Sequence, residues 1–174
     1  MNMLQDPLTL YKLIVLYMLD RVNFPLTNAQ VSDFILEREY TNYLTLQQVI
    51  NELIDTRMVS SRTILNRTHL SITPEGRETL HFFQNRINHG IKNDINTYFR
   101  ENEYVLRNEV SVLADYYYRA ATGEYETHLI AKDRGINLVD LKMSVPTEEM
   151  AKNICDNWQK KNQEIYQYLT KQLF

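Results

Sequence analysis

The residues that could carry covalent or metal chemistry are few and scattered. They are His69, His81, His89 and His128, together with a single cysteine, Cys155. A metal centre needs three or four imidazole, thiolate or carboxylate donors that converge, and a helical one shows paired histidines one turn apart. No two histidines have that spacing, and the local patterns spread them over a strand, a helix, a helix end and a second strand. Neither a glycine-rich phosphate loop nor a Gly-x-Ser-x-Gly elbow occurs. Glu101, Glu103, Glu148 and Glu149 sit where helix starts and solvated faces account for them. Cys155 falls between Ile154 and Trp158 on a helical stripe, a packing position rather than that of a nucleophile. The expectation is a protein that is not an enzyme and uses no cofactor and no metal.

A different chemistry is concentrated in residues 42–68. Asn42, Tyr43, Thr45, Gln47, Gln48 and Asn51 open a helix with short polar side chains. Asn and Gln can pair bidentately with adenine and Thr can meet the methyl group of thymine, which is what reading a major groove requires. An ordinary solvated helix face has the same composition. Farther on, Arg62, Asn66, Arg67 and Thr68 cluster at a hairpin tip, where a basic side chain reaches a phosphate or the minor groove; an exposed basic hairpin also serves solubility alone.

The elements around these residues follow from spacing. Asp6 and Pro7 start a helix whose apolar face, with Leu10, Leu13, Ile14, Tyr17 and Met18, is broad enough to be buried nearly all round. Residues 23–26 break it and form a short edge strand. Thr27 or Asn28 caps a second helix to about Arg38, with Val31, Phe34 and Ile35 inward. After a turn at residues 39–42, a third helix over about 43–57 puts Leu46, Val49, Ile50, Leu53 and Ile54 on one stripe. Residues 59–65 and 68–72 then pair as strands about Asn66-Arg67. Thr73-Pro74-Glu75 opens a fourth helix, which Gly90 ends or kinks.

From Ile91 the helical period resumes, and at Glu109 it changes to a period of two. Strands over about 110–119, 125–132 and 136–145, turning at Gly123 and at residues 132–135, make an antiparallel meander. Val139, Leu141, Met143 and Val145 are its expected inner face. Pro146-Thr147-Glu148-Glu149 begins a terminal helix with Met150, Ile154, Trp158, Ile165, Leu169 and Leu173 on one stripe and a reach of roughly 40 Å. Three strands cannot cover that length, so part of the apolar face is expected to meet something else.

The order helix, turn, helix, hairpin, and above all Leu70-Ser71-Ile72-Thr73-Pro74-Glu75-Gly76-Arg77, resembles the end of the winged domain in bacterial winged helix-turn-helix regulators. There a strand ending in Leu-x-Leu/Ile-Thr is followed by a turn and a glycine. The whole chain also resembles an uncharacterised domain-of-unknown-function family in which a winged helix precedes a small sheet and a terminal helix. The resemblance implies an α+β protein: an N-terminal winged helix-turn-helix domain over residues 1–90, then an α+β dimerisation or sensing domain over 91–174, a small three-stranded antiparallel sheet with a long C-terminal helix. It further implies a homodimeric transcriptional regulator of double-stranded DNA, with recognition by the helix from Tyr43 and the wing over 62–68.

Composition bounds this reading. The net charge is −3 over 174 residues, which excludes a protein that coats nucleic acid by neutralising many phosphates. Residues 1–80 hold seven Lys and Arg against nine Asp and Glu, a net of −2, so any DNA contact must be local. That balance keeps open a second reading, a winged-helix module that binds another protein without DNA. Twelve tyrosines suit partly covered surfaces; Tyr117 and Tyr125 would either pack or line a pocket for a small-molecule effector. The apolar run at 8–19 has Asp6 where a signal peptide is positive, contains Lys12 and is too short to span a bilayer. With one cysteine, the chain is expected in the cytoplasm and away from membranes.

Overall fold

The computed structural model describes residues 6–174, a mixed α+β chain with six α-helices and two three-stranded antiparallel sheets. It separates into two compact units, the first ending at Leu106 and the second beginning at Arg107.

The first unit is built on α1 (Pro7–Asp20). Asp6 caps it, accepting from the Leu8 amide at 3.2 Å, and every residue from Leu13 to Leu19 is buried, as the continuous apolar face requires. The short strand β1 (Leu26–Thr27) leads into α2 (Asn28–Glu37), which starts with a reciprocal capping box: Gln30 N donates to Thr27 Oγ1 at 3.0 Å and Thr27 N to Gln30 Oε1 at 2.9 Å. A turn follows, and then α3 (Tyr43–Asp55), which buries Leu46, Val49, Ile50 and Leu53. β2 (Val59–Ile64) and β3 (Arg67–Ile72) form a hairpin, and β1 pairs with the other side of β3, giving the order β1-β3-β2. α4 (Pro74–Phe83), a 3-10 turn at Gln84–Arg86 and the start of α5 (His89–Ser111) complete this unit. Ile95, Phe99 and Leu106 of α5 belong to its core, so residues 91–106 pack with the elements that precede them.

The second unit is a meander of β4 (Val112–Arg119), β5 (Glu124–Asp133) and β6 (Ile136–Val145), with α6 (Glu148–Leu173) on one face. Trp158 of α6 is 1% exposed, and its indole Nε1 donates to the Ile130 carbonyl at 3.2 Å. Val112, Leu129, Ala131 and Val139 complete the core beneath it.

Several local expectations are corrected. The hairpin turns at Leu65-Asn66, one residue before the expected pair, with φ of 47° and 62°. Two consecutive left-handed residues close a two-residue loop whose twist matches the strands, and Arg67 becomes the first residue of β3. Gly90 neither ends nor kinks α4: the break lies at the 3-10 turn, and Gly90 is inside the first turn of α5, where Asn88 Oδ1 accepts from Ile91 N at 2.9 Å. The strand expected from Val110 begins at Val112, because Val110 stands one helical turn beyond Leu106 and continues its buried stripe. On β6, Met143 is 48% exposed although Val139 and Val145 are buried. On α6 the buried positions are Ala151 and Trp158, while Met150 and Leu173 are exposed. None of the helices among the described residues is long and apolar enough to cross a membrane.

Candidate nucleic-acid interface

α3 is fixed from below and at its start. Its four buried residues hold it in the first core, and Asn42 caps it, with Oδ1 accepting from Thr45 N at 3.0 Å. The turn before it is secured by Tyr40, which packs edge-on to Phe34 with ring centroids 6.2 Å apart and donates its hydroxyl to Asp94 Oδ2 of α5 at 2.6 Å. Burial, and then that carboxylate, push the Tyr40 phenol up to about 12, so it remains a donor throughout the neutral range. Glu39, in the same turn, takes φ of 55°.

With α3 held this way, the polar residues named from sequence divide into groups. Tyr43, Gln48 and Asn51 are exposed and Thr45 is half-buried. Gln47 is turned inward: its amide accepts from Asn28 Nδ2 at 2.8 Å and donates to Ser32 Oγ at 3.2 Å, tying α3 to α2. Gln48 donates to Glu52 at 2.9 Å, and Lys12 of α1 reaches the same carboxylate at 2.6 Å. The Lys12 ammonium first, and the Gln48 amide second, hold the Glu52 carboxyl below the usual carboxylate range. Glu52 is thus an acid on the same helix as these polar residues, and Lys12, from a different element, offsets its charge. Asp55 is exposed. The helix also shows two large apolar groups at its start, Tyr43 at 57% and Leu44 at 79% exposure; Leu44 stands apart from the polar residues expected on this face.

The hairpin presents Arg62, Asn66 and Arg67 to solvent, with Thr68 half-buried. Arg62 is opposite His69, and Thr63 is opposite Thr68. Neither arginine holds an ion pair among the described residues, in contrast to Arg77, whose Nε is 3.1 Å from Asp20 Oδ1. At the base, Thr73 donates to the Arg57 and Met58 carbonyls at 2.7 and 3.0 Å and accepts from Gly76 N at 3.1 Å. One hydroxyl therefore ties the end of β3 and the start of α4 to the turn between α3 and β2.

The residues considered for enzymatic chemistry stand apart. His69 is buried in β3, His81 and His89 are exposed on α4 and α5, and His128 Nε2 lies 2.6 Å from Asp140 Oδ1 in the second unit. Cys155 is half-buried, and burial, then the Asp115 and Asp156 carboxylates, push its thiol up, opposite to what a nucleophile needs. In the second unit, Glu126 accepts from the Tyr117 hydroxyl and pairs with Arg119 at 2.8 Å. Those contacts, the Tyr117 bond first, keep its carboxyl below the usual range.

No curated protein and no solved structure matches the chain. A family model, described as a domain of unknown function, DUF4364, matches residues 11–173. That match spans both compact units, and the chain belongs to the DUF4364 family.

Proposed function

We propose that this protein is a sequence-specific, non-enzymatic DNA-binding transcriptional regulator acting as a homodimer, with a winged helix-turn-helix as its first unit. In this reading α3 enters the major groove, and the β2–β3 hairpin is the wing. The observation that carries it is the pairing of a rigidly seated α3, showing Tyr43, Thr45, Gln48 and Asn51, with a hairpin whose two arginines have no ion-pair partner among the described residues. A recognition helix must be held by its scaffold while its first turns stay free for base edges. Phosphate contacts from the wing then set its register. Gln47 contributes indirectly, by fixing the angle between α2 and α3.

The test is binding of the full chain to a pool of random duplex DNA at low salt, beside the double variant Arg62→Ala/Arg67→Ala. The wild type should select a sequence, and the variant should bind it at least tenfold more weakly with an unchanged melting temperature. Absence of wild-type binding at low salt overturns the proposal. The alternative, a protein-docking winged helix, is favoured by Tyr43 and Leu44, two large apolar side chains open at the start of α3. It predicts that Leu44→Ala weakens partner binding while DNA has no effect.

A further inference from the structure

In the second unit the strand order is β4-β5-β6, so one side of β6 pairs with no described strand. A ten-residue open edge presents unpaired N–H and C=O groups, a template for another strand. β6 carries two opposite charges, Asp140 and Lys142, on either side of Leu141, and such a pair complements itself across an antiparallel seam.

Next to this edge the apolar surface is incomplete. A groove of about 300 Å³ runs between β6 and the C-terminal turns of α6, lined by Leu138, Leu141, Tyr166, Leu169, Leu173 and Phe174. Leu173 is 75% exposed and Phe174 fully so. Leu138 reaches the groove because the β5–β6 register shifts opposite Ala131 and Lys132, leaving an extra residue on β6; such a bulge redirects a side chain. An apolar groove continuous with an unpaired edge is finished by a strand and a helix together, which is what a second copy of the unit supplies.

We propose that β6 pairs antiparallel with β6 of a second copy about a two-fold axis through Leu141, so that Asp140 of each copy faces Lys142 of the other. This rests on the homodimeric part of the reading above. Charge favours one register. Residues opposite one another must share a face, so the axis passes through a residue. An axis at Asp140 would oppose two carboxylates, and one at Lys142 two ammonium groups. At Leu141 the axis creates two Asp–Lys pairs and sets Val139 against Met143, covering a methionine that is 48% exposed. His128 steadies Asp140 for this role from the neighbouring strand. With the axis perpendicular to the sheet, both α6 helices lie on the same face and the two grooves meet at the seam, an isologous contact that closes.

The experiment is sedimentation equilibrium of the full chain without DNA, on wild type, Asp140→Lys, Lys142→Asp, an equimolar mixture of the two, and the double swap. Wild type should be a dimer. Each single variant opposes like charges at two symmetric places and should raise the dissociation constant tenfold or more. The mixture should form a heterodimer of near wild-type affinity, since every Lys then faces an Asp, and the double swap should restore the homodimer. A wild-type dimer indifferent to both single variants, or variants rescued by neither mixing nor the double swap, overturns the β6 seam and leaves the dimeric reading standing. A wild type that is monomeric at roughly 100 µM, where a standard interface is populated, overturns both.

Discussion

Gly76 has a helical backbone at the start of α4, so its value lies in what it lets approach. A Cβ there would stand 2.2 Å from the Met58 carbonyl oxygen and 2.9 Å from Ile72 Cγ1. Thr73 enforces the approach by binding the Arg57 and Met58 carbonyls. Alanine gains about 1 kcal/mol of helix propensity over glycine, but a clash with a backbone oxygen cannot be relieved by changing a rotamer. Gly76→Ala should therefore destabilise the first unit by about 1–3 kcal/mol, as overpacking does. Chemical denaturation followed by circular dichroism reads this, and a higher midpoint, as propensity alone would give, contradicts it. The Thr-Pro-Glu-Gly segment thus acts as a weld between hairpin and helix, and the glycine is the part of it that no rule of helix initiation explains.

The two tight hairpins share one geometry and differ in its fit. Leu65-Asn66 and Arg134-Gly135 each place two successive residues at positive φ, Arg134 at 48° and Gly135 at 79°. Such loops favour Asn, Asp or Gly at both positions, and a longer side chain there costs about 1–2 kcal/mol. Arg134 is exposed, so Arg134→Asn should stabilise the second unit by about 0.5–1 kcal/mol. Fluorescence of Trp158, the only tryptophan, monitors that unit, and an unchanged or lower midpoint counts against the assignment. The same elements mark how far sequence can be read. The stripe of Leu46, Val49, Ile50 and Leu53, the caps at Asp6, Thr27 and Thr73, and the bounds of β6 were legible because burial and capping repeat at short range. The end of α5 was not, since Val110 satisfies a helix from Leu106 and a strand toward Val112 equally well. Nor were the Leu138 bulge and the Lys12–Glu52 pair, because both depend on which element lies alongside. Among the candidate site residues, chemistry alone nominated Gln47 and Gln48 together; helical phase on a packed scaffold separates them, sending one toward α2 and the other to the surface.

In the proposed reading, a chain of net charge −3 gains little from long-range attraction to DNA, so affinity would come from contacts made after docking, few of them ionic. In the proposed homodimer, Arg62 and Arg67 supply four phosphate-directed cations. Counterion release then predicts a slope of log K against log salt of about −4, shallow beside a basic regulator. Lys12 adds nothing to this count, because its charge is already engaged by Glu52. Arg62→Ala alone should halve the slope to about −2 and weaken every sequence alike, since a phosphate contact carries no base information. Asn51→Ala should leave the slope unchanged and narrow the gap between the preferred site and random DNA, by about 1–3 kcal/mol if its amide pairs bidentately with a base. Anisotropy titrations of both duplexes across a salt series separate the two behaviours. A slope that stays near −4 without Arg62, or a specificity ratio indifferent to Asn51, would assign the contacts to other residues and leave α3 and its hairpin free for a protein partner.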